Sequence, residues 1–306
     1  MSAKKDFLTV TDFSAEEILK IFEVTKDLKK NPFRDVFKNK AVGLIFQKPS
    51  LRTRVSFQVG VWQLGGQCMS LSPAEVNIGE RESVKDAAKT LSRYLDLVMA
   101  RVFRHKDIEE LAAHATIPVV NGLSDLYHPC QALGDIFTVH EKKGKLKGLT
   151  LAFIGDGNNV CHSLLHAASM LGMHMRVASP RGFAPRREVL ASTQVLASAT
   201  GSQILVTQDP KIAAEAADVL YTDVWASMGQ EREAGRRARI FRKYQINEGL
   251  VALAKKDCLV MHCLPAHRGL EITNEVIDGP HSVVFDEAEN RLHVQKAIMM
   301  KLVGRG

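Results

Sequence analysis

The sequence predicts an α/β fold with two doubly wound parallel-sheet domains. Short apolar runs alternate with helical stretches over residues 41–140, and the same alternation resumes over residues 150–261. Such an alternation is typical of βαβ units, in which each strand is followed by a helix that covers the sheet. A polar segment, EKKGKLKG at residues 141–148, separates the two series. A chain of 306 residues is long enough to bury two hydrophobic cores.

These features set the expected domain boundaries. We expect a first domain over residues 1–143 and a second over residues 144–286, joined by interdomain helices. The last segment, residues 287–306, contains a stretch from Glu287 to Val303 without proline or glycine. Because nothing in this stretch breaks a helix, we expect a C-terminal helix that packs back on the first domain.

The elements of the first half follow in order. Ser14 and Glu17 form a capping box ahead of apolar residues at helical spacing, which predicts an initial helix. Four apolar runs then predict strands over residues 41–46, 68–71, 97–100 and 118–120. The helices after these strands are expected to begin at Leu51, Ser83, Asp107 and Cys130.

In the second half, apolar runs predict five strands, over residues 150–154, 175–178, 203–206, 219–221 and 259–261. Ligands of open parallel sheets bind beyond the carboxyl ends of the strands. Polar residues follow the predicted strands at those ends: Ser50, Arg52, Arg104, Asn121 and His128 in the first half, and Asn158, Asn159, Asp223, His262 and Cys263 in the second. We therefore expect two clusters that face each other across a cleft.

The composition is that of a globular protein, with 45% hydrophobic and 25% charged residues. No apolar run approaches the ~20 residues that span a membrane, and the first residues contain no apolar signal core. We expect a cytoplasmic location. The five cysteines form no CxxC pair, and their odd number argues against a disulfide framework, so we expect reduced thiols and no metal site.

The net charge of +7 fits either nucleic acid or an anionic small substrate, and composition does not choose between them. The densest basic run extends from Arg232 to Lys243 and contains Arg236, Arg237, Arg239 and Arg242. It has few aromatic residues for base stacking, so a solvated helix face is the better interpretation. We expect small-molecule substrates and neither a nucleic-acid nor a membrane partner.

The segment SLRTR at residues 50–54 follows the first strand and begins a helix. With Ser50 as the N-cap, free backbone N–H groups and the positive end of the helix dipole point toward one place. A cation in the first turn opposes that dipole unless an anion is present, so Arg52 indicates a phosphate-binding site. The alternative is that Arg52 and Arg54 are an exposed pair on a solvated helix face.

Three further motifs carry side chains suited to carbonyl and amine substrates. In HPCQ at residues 128–131, His128 and Gln131 can both donate to a carbonyl oxygen, although a buried histidine in an ordinary helix turn is equally compatible. In HCLP at residues 262–265, Cys263 could be a nucleophile, a hydrogen-bonding group or a small buried residue. Asp223 precedes a glycine-bearing loop, where a carboxylate suits a cationic amine.

The segment GDGNNV at residues 155–160 resembles the start of a dinucleotide fingerprint. Its sixth position is Val160 instead of glycine or alanine. No acid follows the strand at residues 175–178 to hold a ribose. We expect no nicotinamide cofactor and no other cofactor.

Taken together, seven motifs resemble those of the ornithine carbamoyltransferases. They are SLRTR at residues 50–54, FR at 103–104, HPCQ at 128–131, GDGNN at 155–159, DVWASMGQE at 223–231, HCLP at 262–265 and ENRLH at 289–293. The resemblance extends over essentially the whole chain. It implies a transferase of arginine metabolism that makes citrulline and phosphate, that needs no cofactor and that assembles as a homotrimer or as several trimers. We expect a role in arginine biosynthesis, and a role in arginine breakdown remains open from the sequence.

The resemblance also implies roles for individual residues. The residues implied at carbamoyl phosphate are Ser50, Leu51, Arg52, Thr53, Arg104, His128, Gln131, Cys263, Leu264 and Arg291. Those implied at ornithine are Asn159, Asp223, Ser227 and Met228, with Asp223 pairing the α-ammonium group. The implied catalytic groups are Arg104, His128, Asp223 and Cys263. Preorganised donors would stabilise the charge that develops on the carbonyl oxygen and on the departing phosphate.

Two positions depart from the family pattern. Leu51 stands where the family often has threonine, but this position contributes mainly its backbone N–H. Asn77 stands where many members have a glutamine that reaches a neighbouring subunit's site. Alternative acceptors, putrescine or N-acetylornithine, and a catalytically silent regulatory paralogue remain open from the sequence.

Overall fold

A computed structural model describes residues 4–72, 82–226 and 231–304 of the chain. The chain forms two compact units. The first unit comprises Met1–Gly134 together with Glu289–Gly306, and the second unit comprises Asp135–Ala288. The C-terminal segment therefore returns to the unit in which the chain begins.

The first unit contains a four-stranded parallel sheet. Its strands are β1 (Ala41–Phe46), β2 (Gln67–Leu71), β3 (Leu97–Arg101) and β4 (Val119–Leu123). They lie in the order β2-β1-β3-β4, and every pair is parallel. The direction of winding reverses between β1 and β3, which is the place where doubly wound sheets bind ligands.

The second unit contains a five-stranded parallel sheet. Its strands are β5 (Thr150–Ile154), β6 (His174–Ala178), β7 (Ile204–Thr207), β8 (Val219–Thr222) and β9 (Leu259–His262). Their order is β7-β6-β5-β8-β9, all parallel, and the winding reverses between β5 and β8. All of β5 and β8 is buried, as expected for central strands covered on both faces.

Twelve α-helices lie in the described ranges. In chain order they are α1 (Ala15–Lys30), α2 (Leu51–Gln63), α3 (Val84–Tyr94), α4 (His105–His114), α5 (Pro129–Lys143), α6 (Asn159–Met170), α7 (Arg187–Thr200), α8 (Pro210–Ala214), α9 (Ala234–Phe241), α10 (Glu248–Val251), α11 (Asn274–Ile277) and α12 (Val284–Leu302). Helices α5 and α12 each continue from one unit into the other. They are the interdomain helices.

Local signals account for several of the helix starts. The capping box at Ser14 is present, with the Glu17 backbone N–H donating to the serine hydroxyl and the Glu17 carboxylate accepting from the serine N–H. Ser50 and Ser83 are the N-caps of α2 and α3. Helix α4 begins at His105, two residues before the position predicted from the sequence.

The predicted fold class is confirmed, because both units contain parallel sheets in doubly wound order. Helix α12 begins at Val284, slightly before the predicted start, and it packs on the first unit as expected. Lys296 of this helix is fully buried and donates to the side chain of Gln63 (2.7 Å) and to the carbonyl of Pro32 (3.1 Å). In the described part of the chain, no helix combines the length and the apolar character needed to cross a membrane.

The interpretation of the basic run as a solvated face is only partly correct. Arg236, Arg239 and Arg242 are exposed, but Arg237 is buried. Its guanidinium group lies 2.7 Å from a carboxylate oxygen of Asp156. The pattern of charges along α9 could not reveal this partner, because Asp156 lies some eighty positions earlier in the chain.

Candidate active site

In the first unit, the N-terminus of α2 lies at the switch point of the sheet. Ser50 caps the helix, and its hydroxyl accepts from the backbone N–H of Thr53 at 3.4 Å. Arg101 ends β3, where it is the register partner of Phe46 at the end of β1. Its guanidinium donates to the Ser50 hydroxyl at 3.3 Å. A helix N-terminus and a cation are thereby brought together, which is the arrangement that binds phosphate.

A second guanidinium reaches this place from α12. Arg291 is 3% exposed and donates to the side-chain oxygens of Gln131 and, at 3.3 Å, of Thr53. A third partner is Gln295, whose carboxamide oxygen accepts from Arg291 at 2.8 and 3.0 Å. These described partners are all neutral, so no ion pair with them compensates the charge of Arg291.

Gly134 of α5 is needed for this approach of Arg291. A Cβ atom at this position would lie 3.2 Å from the Cδ atom of Arg291 and 3.6 Å from its Cα atom. A larger residue here would therefore press on the side chain of Arg291. The spacing from His128 and Gln131 to Gly134 thus lets the two helices approach at the site.

His128 lies among these arginines and is buried. Its pKa is held well below the ordinary value, first by burial and then by the positive charges of Arg291, Arg101 and Arg52. The imidazole is therefore neutral near neutral pH and can donate from one ring nitrogen. The same effect shows that three guanidinium charges of the first unit act on one imidazole. Such a concentration of positive charge predicts an anionic ligand.

Arg104 is not brought to this place, so Arg101 replaces it in the candidate site. The Arg104 side chain is 70% exposed and pairs with Asp107, with 2.6 Å between Nη2 and Oδ1. It is also absent from the charges that act on His128. The FR motif was misleading because Arg104 lies three residues beyond the end of β3. Arg101 is the arginine at the carboxyl end of that strand, a position that could have indicated it from the sequence.

In the second unit, Asp223 lies just after β8 at the switch point of that sheet. One carboxylate oxygen accepts from the Asn158 amide at 2.6 Å, and the other accepts from the Cys263 thiol at 2.9 Å. The backbone N–H of Val224 donates to the latter oxygen at 2.8 Å. The carboxylate is thus held on both oxygens by neutral hydrogen-bond donors.

Cys263 acts here as a hydrogen-bond donor. Burial and the adjacent Asp223 carboxylate raise the pKa of its thiol well above the ordinary value. The thiol therefore stays protonated, which excludes a thiolate nucleophile in this arrangement. Of the three interpretations of Cys263 considered from the sequence, the hydrogen-bonding group is the one that fits.

The residues around Cys263 fix the backbone beyond β9. Nδ1 of His262 accepts from the backbone N–H of Leu264 at 2.9 Å, and Nε2 lies 3.2 Å from the buried carboxylate of Glu271. Leu264 has a φ of 55°, a left-handed conformation that is costly for a leucine. The side chain of His262 thus supports a strained turn that aims the backbone of Leu264.

Asp223, His262 and Cys263 are also a set of possible metal ligands, with candidate ligand atoms within 4.8 Å of one another. In this arrangement their polar atoms are engaged in the hydrogen bonds just described. The histidine nitrogens contact Leu264 and Glu271, and the thiol contacts Asp223. The set therefore functions as a hydrogen-bonded network.

Asn158 makes a direct contact to Asp223. Asn158 is the N-cap of α6 and accepts from the backbone N–H groups of Val160 (3.0 Å) and Cys161 (3.1 Å). Asn159 is the first residue of α6 and lies beside it, partly exposed. The sequence offered both asparagines at the end of β5, and the capping geometry assigns the N-cap role to Asn158.

The glycine at position 157 has a packing explanation. A Cβ atom there would lie 2.3 Å from the backbone nitrogen of Pro185 and 2.6 Å from the carbonyl carbon of Ala184. Only glycine permits this close approach of two backbone segments. The glycine-rich turn is thereby explained without a bound nucleotide.

Arg237 is a residue near the candidate site that the sequence analysis missed. Its guanidinium bonds to Asp156 (2.7 Å), to the carbonyl of Trp225 (2.8 Å) and to the carboxylate of Glu233 (3.1 Å). It therefore holds the residues on either side of positions 227–230. Ser227 and Met228, predicted at ornithine, and Asn77, predicted at a subunit interface, lie outside the described residues.

Two family models match consecutive parts of the chain. Residues 5–141 match the carbamoyl-P binding domain of aspartate/ornithine carbamoyltransferase, and residues 147–302 match its Asp/Orn binding domain. The chain therefore belongs to the aspartate/ornithine carbamoyltransferase family of enzymes. The resemblance inferred from the seven motifs is confirmed.

Within this family the chain is similar to proteins named ornithine carbamoyltransferase. The one from Anoxybacillus flavithermus is 51% identical, over 98% of this chain and 96% of that protein, and the one from Pyrococcus horikoshii is 50% identical over the same shares. Among solved structures, ornithine carbamoyltransferase from Pyrococcus furiosus superposes with a TM-score of 0.95 at 49% identity, over 97% of this chain and 96% of that one. The anabolic enzyme from Campylobacter jejuni gives 0.93 at 39% identity, over 97% and 98%.

Proposed function

We propose that this protein transfers the carbamoyl group of carbamoyl phosphate to the δ-amine of L-ornithine, giving L-citrulline and phosphate. The observation that carries the proposal is the convergence of Arg52, Arg101 and Arg291 on His128 beside the N-terminus of α2. The relatives named ornithine carbamoyltransferase, at about half identity over nearly the whole chain, support the choice of acceptor.

The phosphate of carbamoyl phosphate would bind at the start of α2. The hydroxyls of Ser50 and Thr53, the backbone N–H of Leu51, and Arg52 would contact its oxygens, and Arg101 would do so in place of Arg104. These donors face an oxygen that becomes more negative as phosphate departs. Their interaction with the ligand therefore strengthens along the reaction, which is what accelerates it.

The carbamoyl carbonyl would lie against His128, Gln131 and Arg291. A neutral imidazole has one ring N–H group, and this group can donate a hydrogen bond to the carbonyl oxygen. Arg291 already bonds to Gln131 and Thr53, so it links the carbonyl and phosphate ends of the substrate site. As the tetrahedral centre forms, these donors stabilise the charge on the oxygen.

The ornithine end would be held in the second unit. Asp223 would pair with the α-ammonium group, and Asn159, Ser227 and Met228 would complete the site. Cys263 and the backbone of Leu264 would lie near the reacting amine and the carbamoyl NH2 group. The δ-nitrogen forms the new C–N bond, the C–O bond to phosphate breaks with its electron pair on the phosphate oxygen, and one proton passes from the nitrogen to the departing phosphate. No covalent enzyme intermediate is required.

We propose, in line with this division, a carbamoyl phosphate-binding domain over residues 1–143 and an ornithine-binding domain over residues 144–286. We further propose a cytoplasmic enzyme of arginine biosynthesis. All five cysteines are free, as a reducing compartment favours. One of the similar structures is that of an anabolic ornithine carbamoyltransferase, from Campylobacter jejuni.

A homotrimer, or an assembly of trimers, is proposed from the exposed apolar surface of the first unit. Leu51, Val55 and Trp62 lie on one face of α2 at helical spacing and are 73%, 47% and 63% exposed. Phe33 packs edge-to-face on Trp62 with ring centroids 5.3 Å apart, and the pair is exposed. A contiguous apolar surface of this kind marks a protein interface. The role of Asn77 at that interface is part of the proposal.

The first experiment measures phosphate release from carbamoyl phosphate with ornithine, putrescine, N-acetylornithine and aspartate in parallel, with citrulline identified as a product. A strong preference for ornithine is expected. Activity with another acceptor alone would preserve the phosphate site and refute the ornithine assignment. Inactivity with all four would favour the silent regulatory paralogue.

A further inference from the structure

A buried cluster of three ionisable groups lies beneath the end of β9 in the second unit. Asp135, Tyr221 and Glu287 are each fully buried. The Tyr221 hydroxyl oxygen is 3.0 Å from Oδ2 of Asp135 and 3.2 Å from Oε1 of Glu287. The mechanism proposed above gives none of these groups a role.

The cluster is assembled from three distant parts of the sequence. Asp135 comes from α5, Tyr221 from β8 and Glu287 from the first turns of α12. In the sheet, Tyr221 is the register partner of Met261, and Thr222 is the partner of His262. The three side chains therefore meet next to the strand end that precedes Cys263.

Two carboxyl groups in one buried place cannot both be ionised at low cost. Burial and the neighbouring Asp135 raise the pKa of Glu287 well above its ordinary value. The pKa of Tyr221 is also raised, by burial and by both acids, so its hydroxyl remains a donor. A protonated Glu287 donates to the Asp135 side chain, and the Tyr221 hydroxyl donates to the same side chain.

The other oxygen of Glu287 is used at the edge of the sheet. β9 lies at the edge of the five-stranded sheet, and on its outer side Val260 forms an isolated parallel bridge with Ser282. The backbone N–H of Val260 donates to the carbonyl of His281. Two residues further along the strand, the backbone N–H of His262 donates to Oε2 of Glu287 at 3.0 Å. The side chain of Glu287 thus extends the pairing of β9 by one acceptor, at the residue where the strand ends.

From His262 the contacts continue to the proposed ornithine site. Its ring accepts from the backbone N–H of Leu264, and the next residue, Cys263, donates to Asp223. A shift of His262 would therefore displace the backbone of Leu264 and the thiol of Cys263. We propose that Asp135 and Glu287 share one proton and, with Tyr221, act as positioning residues that hold the Cys263–Leu264 turn for the amine acceptor. This inference rests on the proposed function for its kinetic consequence, but not for the shared proton itself.

Two substitutions at the same position separate the possibilities. Glu287→Gln can reproduce the protonated acid, with its amide nitrogen donating to Asp135 and its oxygen accepting from His262. It should leave kcat/KM for ornithine nearly unchanged. Glu287→Leu removes both interactions and should lower that kcat/KM about tenfold or more while leaving the KM for carbamoyl phosphate unchanged. Glu289→Gln, an exposed acid of the same helix, is the matched control.

A direct measurement tests the proton without reference to activity. The infrared difference spectrum of the full-length wild type minus Glu287→Gln, taken near neutral pH, should contain the carbonyl band of a protonated carboxylic acid, and the difference with Glu289→Gln should not. The absence of that band, or a loss in Glu287→Gln equal to that in Glu287→Leu, would refute the shared proton. Equal losses for ornithine and carbamoyl phosphate in Glu287→Leu would refute the positioning role. A wild type inactive with ornithine would instead refute the proposed function, and the infrared result would still stand.

Discussion

The thiol of Cys263 lies 2.9 Å from Oδ1 of Asp223 and donates a hydrogen bond to it. Burial and the carboxylate raise the pKa of this thiol. Cys263 therefore acts as a hydrogen-bond donor and not as a thiolate nucleophile. Cys263→Ser retains a donor and should keep most of the activity. Cys263→Ala should lower kcat/KM for ornithine about tenfold, because the Asp223 oxygen then loses a partner.

Steady-state kinetics with both substrates varied would check this, together with the rate of alkylation by iodoacetamide. Alkylation of Cys263 near neutral pH should be slow. Fast alkylation, or a serine variant as impaired as the alanine variant, would point to thiolate chemistry.

The neighbouring arginines at positions 101 and 104 give a matched pair for the phosphate site. Arg101 donates to the cap residue Ser50, whereas Arg104 is largely exposed and paired with Asp107. Arg101→Ala should lower kcat/KM for carbamoyl phosphate about 100-fold, because a charge that faces the departing phosphate is lost. Arg104→Ala should have a small effect. A larger loss of kcat/KM in Arg104→Ala than in Arg101→Ala would indicate that Arg104, and not Arg101, contacts the phosphate.

Arg237 should affect ornithine specifically, because it holds residues on both sides of positions 227–230. Arg237→Gln leaves the partly buried Asp156 without its cation and should raise the KM for ornithine about tenfold. The free energy of unfolding should fall by about 3 kcal/mol, the cost of breaking a buried ion pair. Arg239→Gln, an exposed arginine of the same helix, is the control. A higher KM for carbamoyl phosphate alone would contradict the assignment.

The pH profile should follow the amine substrate. The δ-amine, with an ordinary pKa of about 10, must be neutral to attack, so its reactive fraction rises with pH. The pKa of His128 is held well below its usual value, so this group does not titrate near neutral pH. With carbamoyl phosphate saturating, log kcat/KM for ornithine should rise with a slope of about 1 from near pH 6 to near pH 9. A flat profile with chemistry rate-limiting would argue against direct attack by the free amine.

Stability at acid pH should depend on His166 of α6. This buried residue has its pKa lowered to about 4 by burial and by the nearby His162, and one ring nitrogen lies 2.9 Å from the Ser192 hydroxyl. Below its unfolded pKa of about 6.5 the unfolded chain binds a proton that the folded chain does not, so stability is lost as pH falls. Between pH 6.5 and pH 5 this loss is about 2 kcal/mol for one histidine.

Urea unfolding at pH 7 and at pH 5 would measure this loss. His166→Gln should show a fall in unfolding free energy smaller than that of the wild type by about 2 kcal/mol, because it no longer gains a proton on unfolding. His114→Gln, which alters a partly exposed histidine, should behave as the wild type does. An equal fall in wild type and His166→Gln would contradict the prediction.

The elements that were predicted well are those with local causes. Each strand is a short apolar run, and the starts of α1, α2 and α3 are marked by the serines that cap them. These signals depend on neighbours within a few positions, so one sequence contains them in full. Ser50, His128, Gln131, Asp223 and Cys263 were selected as candidate site residues for a related reason, because parallel sheets place strand ends on a common edge.

What the sequence by itself determined is therefore the order of strands and helices, the two-domain α/β class and most of the polar groups at the strand ends. Only the tertiary structure decided which arginine contacts Ser50, that Asn158 contacts Asp223, and that Arg237 and Glu287 are buried. These outcomes depend on partners far away in the chain and on desolvation, which raises or lowers a pKa only after packing has removed water. The sequence contains the charged residues, whereas the fold sets which of them remain exposed and which are paired.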